Sequence, residues 1–492
     1  MIWKEGMLTR LKRILLVCAL AAPATAAVAG TVTPLATAAG AGTVTPTRAV
    51  PLTRVSDDPL IAAPAAQPRS EVEPAAYAHG GTIVTAFQVG RLRGGGSLAT
   101  GWATRSDGVW RHGLLPGLTR SSIPPGPFDR VSDASVAYDA AHRVWLVASL
   151  ALVSPLVSHG PVDRAHVSIV VSRSPDGVHW RRFAHPYAVV ADAGRAFYDK
   201  EWIACDNTVT SPYYGRCYAT WDRAARRDHF LMSASRDGGQ TWSAPVAPAG
   251  GPTGLGGEPV VRGDGTVVVP AVDDAQNAIV SFRSTNGGAT WGGVTVVSRI
   301  RFHVAAGGLR TEPLPSVAVD GGGRVYVAWQ DCRFEPRCAA NDILMSVSDD
   351  GLTWSPVARV PIDPIGSGVD HFIPGLGGDP TTSGPRARLG LAYYYYPNAA
   401  CTFLTCALDA GFVFSTDGGA TWSASRRIAG PMSLNWIAGT TQGVMVGDYI
   451  TTVFSGGEAI PIVAVAHPPR GGLLDEAMYA ARPRMDGPER GS

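Results

Sequence analysis

The eight-residue segment STDGGATW, residues 415–422, recurs along the chain. Close copies are SRDGGQTW at 235–242 and STNGGATW at 284–291, the second with Asn286 in the Asp place. Looser copies are VSDDGLTW at 347–354 and RSPDGVHW at 173–180, and a shortened one, RSDGVW, ends at Trp110. An Asp side chain accepts hydrogen bonds from backbone N–H groups just ahead of it and so holds a tight turn. Gly permits the positive φ such a turn needs. Trp is a large apolar plug whose N–H still seeks a partner. Runs such as HVSIVVS, HFLMSAS, NAIVSF and DILMSVS precede the copies, so the unit reads as strand, Asp-closed turn, strand.

The tryptophans stand at 110, 180, 242, 291, 354 and 422, at intervals of 70, 62, 49, 63 and 68 residues. A turn motif returning at such intervals is the sequence signature of a repeat architecture. A second element, a β-hairpin, lies about 30 to 40 residues before each turn. Its copies are EPAAYAHGGTIVTAF, DASVAYDAAHRVWLVAS, EWIACDN…GRCYATW, EPVVRGDGTVVVPAV and EPLPSVAVDGGGRVYVAW, with divergent ones near ARLGLAYYYYP and at DYITTVFSGGEAIPIVAVA. Hairpin, third strand, turn and outer strand make one four-stranded sheet. The last hairpin is followed by EAMYAARP and no turn motif, and residues 48–55, RAVPLTRV, can supply its missing strand.

The turn motif resembles the Asp-box, or BNR repeat, of sialidases and related proteins, over about residues 70 to 485. The resemblance implies an all-β fold: a β-propeller of four-stranded antiparallel blades, with the box a structural turn at the blade edge and not the active site. Seven blades are favoured here, closed by the N-terminal strand. Sialidases themselves have six, and six blades plus an appended hairpin is the alternative.

Lys12 and Arg13 precede the apolar run ILLVCALAA, and small residues follow with candidate cleavage sites after Ala26 or Ala29. Residues 1–29 read as a secretory signal peptide, 30–69 as an Ala/Thr/Pro-rich linker, 70–485 as the propeller and 486–492 as a tail. Without Cys18 of the leader, six cysteines remain in close pairs: Cys205 and Cys217, Cys332 and Cys338, Cys401 and Cys406. An even count in an exported chain points to disulfides; 15 connectivities are open, and the local one is favoured. The formal charge is +2, of which Lys4, Glu5, Arg10, Lys12 and Arg13 supply +3, leaving −1 beyond the leader. Nucleic acid is therefore not the expected partner. No later run is long and apolar enough to span a bilayer. Lys200 is the only lysine beyond residue 12.

In propellers the starts of the innermost strands gather around the axis. Here most begin with an acid: Glu73, Asp133, Glu201, Glu258, Glu312 and Asp448. Carboxylates crowded at one mouth raise one another's pKa or recruit a cation; the plainer reading is that each caps its own strand. The densest group is Asp199, Lys200, Glu201 and Trp202, whose aromatic and charged neighbours suit a sugar ring or a packed hairpin alike. The sialidase resemblance implies three substrate-holding arginines, a Tyr nucleophile activated by a Glu, and an Asp acid. The loose matches are Tyr449 as nucleophile, Glu258 or Glu312 as its partner, Asp133 as acid, and Arg310 and Arg333 as carboxylate holders. The early Arg-Ile-Pro of the family is absent; Ser122-Ile123-Pro124 is the nearest sequence. The expectation is a secreted monomer that recognises an extracellular glycan or surface polymer, with an exo-acting glycosidase or a non-catalytic scaffold as alternatives. No cofactor is implied, and structural calcium is conceivable at the acids near 199–201 or at Asp273-Asp274.

Overall fold

The computed structural model describes residues 49–60, 66–153, 166–183, 185–191, 197–224 and 227–485. The expected leader, most of the linker and the tail lie outside them. The described strands form six hydrogen-bonded sheets; one is a two-strand ribbon, Gly439–Thr440 with Gly443–Val444, and the largest joins the groups labelled I, II and VII below, through Ser97 with Val131 and a parallel bridge of Ser70 with Glu476. Sheet I comprises Gln67–His79, Thr82–Arg91, Ser97–Ser106 and Val109–Leu114. Sheet II comprises Arg130–Asp139, Val144–Val153, His166–Ser174 and Tyr187–Val190. Sheet III has Tyr198–Cys205, Cys217–Arg223 and His229–Ser235. Sheet IV has Gly254–Leu255 and Val260–Val261 against Val267–Asp273, then Ala278–Ser284 and Thr295–Arg299. Sheets V and VI begin at Ser316–Val319 and Asp370–Gly378. Sheet VII runs Thr451–Ser455, Glu458–Ala466, Glu476–Ala481, and its outermost strand is Leu52–Arg54 from the other end of the chain. The first strand of each group, taken as Val260–Val261 in IV, touches that of the next from I through VII, and that of VII touches that of I. Among the described residues no helix is long and apolar enough to cross a membrane.

The repeated turn forms as its residue types dictate. The Asp417 carboxylate accepts the Thr421 N–H at 2.9 Å and the Thr421 hydroxyl at 2.5 Å, while Ser415 Oγ donates to it at 2.8 Å and accepts the Gly419 N–H at 2.9 Å. Asp237 and Thr241 repeat the arrangement. Asn286 serves equally, because its oxygen accepts the Thr290 N–H while its amide nitrogen donates to Thr290 Oγ1 at 2.7 Å. The shortened copy is different. Asp107 and Gly108, both at positive φ, make a two-residue hairpin turn between Ser106 and Val109, and Trp110 packs partly buried against the cluster that includes Ile83 and Phe87.

Each Trp then closes the apolar layer between two sheets. Trp180 seals Val84, Ala86 and Trp102 against Val136, Trp145 and Val147; Trp291 seals Tyr218 and Phe230 against Val267 and Phe282. The box Gly has a second job here. Gly351 sits at φ +74°, and a Cβ on it would lie 2.5 Å from Cγ2 of the fully buried Val268 in the preceding sheet. Gly351→Ala should therefore cost about 2–4 kcal/mol, combining left-handed strain with overpacking. Gly108→Ala, at φ +78° with open space around it, should cost only the strain. Urea denaturation of both tests this; equal losses would refute the packing role.

Three disulfides join Cys205 to Cys217, Cys332 to Cys338 and Cys401 to Cys406. The local pairing follows from register: Cys205 and Cys217 face each other across neighbouring strands.

Candidate functional site

Four first strands carry a bulge at the same place. The ladder slips between Val72 and Ala75, Ser132 and Ser135, Asp199 and Trp202, and Phe372 and Gly375. In each slip one non-glycine residue takes positive φ: Glu73 (59°), Asp133 (39°), Lys200 (51°) and Ile373 (51°). A bulge re-aims the side chain it carries. Left-handed φ is costly for such residues, above all for the β-branched Ile373. The third repeat thus presents Lys200 at the position where the sequence pattern placed the neighbouring acid, Glu201.

Glu73, Asp133 and Lys200 meet Asp448, which precedes the first strand of sheet VII. Lys200 Nζ donates to Asp448 Oδ2 and lies 3.8 Å from Glu73 Oε1 and 3.9 Å from Asp133 Oδ1. Arg310 donates to the same Asp448 oxygen. Glu73 accepts the Asp448 N–H at 3.2 Å and the Gln88 side-chain amide; Gln88 in turn accepts from Arg91 at 2.8 Å. The group is buried: Glu73 and Glu201 are each 1% exposed and Lys200 7%. Burial alone would raise the Asp448 pKa, but Arg310 and Lys200 more than offset it and hold the carboxyl well below its usual range. Burial opposes the charge on Lys200, and Asp133, Asp448 and Glu73 overcome it, so the amine stays protonated. The remaining acids go the other way. Burial, then repulsion from Asp133, pushes Glu73 and Glu201 up, and burial and Asp199 do the same to Asp222. Both oxygens of Glu201 and Oδ2 of Asp133 lack a hydrogen-bond partner among the described residues.

Tyr449 follows Asp448. Its hydroxyl accepts the Ala134 N–H at 2.9 Å and donates to the Ala134 carbonyl at 3.2 Å. Its ring meets Trp202 edge-to-face with centroids 5.0 Å apart, and both rings are half-buried. Burial, with the charges of Glu73, Asp133 and Glu201, pushes the phenol pKa up. Trp202 and Tyr449 line a cavity of about 230 Å³ whose walls come from the first strands. Glu258 lies on the wall of this cavity and accepts the Val317 N–H at 3.1 Å. Glu312 is half-buried, and its charge adds to that of Asp448 in holding Arg310 protonated against burial. Arg333 pairs with Asp331 at 2.6 Å and Ser298 at 2.9 Å, on the second and fourth strands of their sheets. Asp273 accepts the N–H groups of Asn277 and Ala278 at its own hairpin turn. Larger grooves of about 690 and 640 Å³ lie at the outer seam of sheets I and II and are lined by box residues such as Asp176 and His179.

Asp133, Lys200 and Arg310 thus meet Glu73 and Asp448 in one buried ion-pair network, with Asp199 and Glu201 near enough to interact with Asp133 electrostatically; Trp202, Tyr449 and Glu258 line the cavity, and Arg333 belongs to neither. Arg91 and Gln88 are additions that sequence reasoning missed. Their only signal is polarity inside the apolar strand TIVTAFQVGR.

A family profile for the BNR/Asp-box repeat matches residues 413–424. No curated protein matches the chain significantly. Among solved structures, a Hadza microbial sialidase is 14% identical, over 85% of this chain and 66% of that one, with a TM-score of 0.41. The match thus spans just under two thirds of that protein. The intramolecular trans-sialidase of Ruminococcus gnavus is 13% identical, over 86% and 96% of the two chains, with a TM-score of 0.39. An α-L-arabinofuranosidase of Fusarium graminearum is 14% identical, over 72% and 93%, with a TM-score of 0.41.

Proposed function

We propose that this BNR/Asp-box repeat protein is an exported, seven-bladed propeller of the sialidase superfamily that recognises a glycan at the mouth formed by its innermost strands. Ring closure is supported by the cyclic contacts of the seven first strands and by the pairing of Leu52–Arg54 with Glu476–Ala481. Closure protects sheet edges that would otherwise template aggregation. Export is supported by three disulfides.

The observation that carries the reading is the Trp202–Tyr449 pair at the cavity, next in sequence to the buried acids and Lys200. A sugar ring offers C–H faces to aromatic rings and hydroxyls to carboxyls. Carboxyls kept protonated by burial donate as well as accept. The cavity is below the roughly 300–1,000 Å³ of drug-sized ligand sites and suits a single ring. Lys200 and Arg310 are both engaged by Asp448, which favours a neutral sugar over an acidic one. Trp202→Ala should weaken binding about ten-fold or more on a glycan array, with the melting temperature little changed. A blank array, or binding indifferent to both Trp202→Ala and Asp199→Asn, would defeat the reading.

A second reading is an exo-acting glycosidase with Tyr449 as nucleophile. It is favoured by Glu201, whose unpartnered carboxylate is close enough for its charge to act on the phenol. A panel of fluorogenic glycosides tests it: turnover abolished in Tyr449→Phe supports it, and an inert wild-type protein rejects it.

A further inference from the structure

We propose that Asp342, Asp363 and His371 form a zinc-type divalent-cation site between sheets V and VI, separate from the mouth. Asp342 opens the third strand of sheet V, Asp342–Ser348; Asp363 lies beyond its last strand, Ala358–Arg359; His371 is in the first strand of sheet VI. One donor atom from each lies within 4.8 Å of the other two.

The hydrogen bonds define which atoms are available. His371 Nδ1 lies 3.2 Å from the Asn341 carbonyl oxygen. A carbonyl only accepts, so Nδ1 carries the proton and Nε2 of the neutral ring presents a lone pair. Nε2 faces Asp363 Oδ2 at 3.9 Å, too far for a hydrogen bond and a natural separation for two atoms bound to one ion. A histidine whose second nitrogen donates to a backbone carbonyl is how metal-ligating imidazoles are oriented. Tyr393 and Tyr395 pack on the ring, with centroids at 5.4 and 6.0 Å.

Arg359 accounts for the other side of both carboxylates. It donates to Asp342 Oδ1 at 2.7 Å and to Asp363 Oδ1 at 2.8 Å. This leaves the two Oδ2 atoms for the third partner. Among the described residues Asp363 Oδ2 accepts a hydrogen bond from Ser367 alone, at 2.5 Å, and Asp342 Oδ2 has no hydrogen-bond partner although the Asp342 side chain is 2% exposed. An orphaned carboxylate oxygen at that depth costs free energy unless something occupies it. One imidazole nitrogen with two carboxylate oxygens selects zinc or a similar transition ion over calcium or magnesium, which take oxygen donors. Bonds of about 2.0–2.2 Å need these atoms to close by less than about 1 Å. The ion would fasten the segment 360–369 to both sheets.

The test uses the full protein stripped with chelator and titrated with zinc chloride, with calcium chloride as control. Expected are one zinc bound per chain by calorimetry, a rise in melting temperature with zinc and none with calcium, and affinity about ten-fold or more weaker in Asp342→Asn and His371→Gln. Asn at 342 keeps an acceptor for Arg359, and His371→Gln is an independent check should that variant not fold. Failure of the stripped wild type to take up zinc, or uptake unaltered in the folded variants, would overturn the site. Neither result bears on glycan binding.

Discussion

Lys200→Met should destabilise the protein by about 3–5 kcal/mol at pH 8, the usual effect of removing one partner from a buried ion pair. The methionine fills nearly the same volume, so the loss is electrostatic. Asp448 would keep Arg310, but Glu73 and Asp133 would lose the cation 3.8 and 3.9 Å away. The remedy open to Glu73 is to hold a proton, which raises its folded-state pKa further. A carboxyl whose folded pKa rises loses stability as pH climbs above its unfolded value. The deficit of the variant should therefore be smaller at pH 5 than at pH 8. Urea denaturation at the two pH values measures this, and a loss below about 1 kcal/mol at both would show that the amine contributes little. The same variant bears on the mouth. With Lys200 gone, Asp448 holds Arg310 alone, and binding at Trp202 should change only as far as the bulge relaxes.

What could be read from the sequence divides by the range of the interactions. The box is held by bonds from one side chain to groups up to four residues on, as between Asp417 and Thr421, so its residues announce it. At the shortened copy the residues after Asp107-Gly108 are Val109, Trp110 and Arg111, with no Thr hydroxyl to close the loop on the carboxylate, and Asp-Gly makes a two-residue hairpin turn instead. The strand Leu52–Arg54 was legible because the last repeat lacked a partner. The mouth was legible only as an inventory. Acids at the starts of the hairpins were visible, but the bulge that aims Lys200 inward and shifts Glu201 by one place is set by the strand ladder and not by composition. Arg91 reaches the group through Gln88 from a second strand. Asp342, Asp363 and His371 belong to two different sheets, and no spacing rule links them.

Glu71→Gln should flatten the pH dependence of stability between about pH 4.5 and 8. Glu71, on the first strand of sheet I, is fully buried against Ser56 and Met478. It accepts from the Ser56 hydroxyl, beside the strand Leu52–Arg54, and from the Met478 N–H of sheet VII at 3.2 Å; its other oxygen has no hydrogen-bond partner among the described residues. Burial pushes its pKa from 4.5 to about 8, only partly offset by the Ser56 hydroxyl and the Met478 amide. Glu476, also buried, is pushed up chiefly by burial, and its neighbour Asp475 pairs with Arg54 of the strand Leu52–Arg54 at 2.9 Å. The folded protein therefore holds protons that the unfolded chain releases across this window. Stability from Glu71 is complete below pH 4.5 and is lost as pH rises through about 8, a span on the order of 4 kcal/mol. Glutamine keeps the shape and the acceptor without the ionisation. The variant should match the wild type near pH 5 and exceed it by a few kcal/mol near pH 9, the gain appearing as a higher urea midpoint. An unaltered pH profile in Glu71→Gln would mean that this seam already opens to water, and that Leu52–Arg54 holds sheet VII more loosely than its pairing implies.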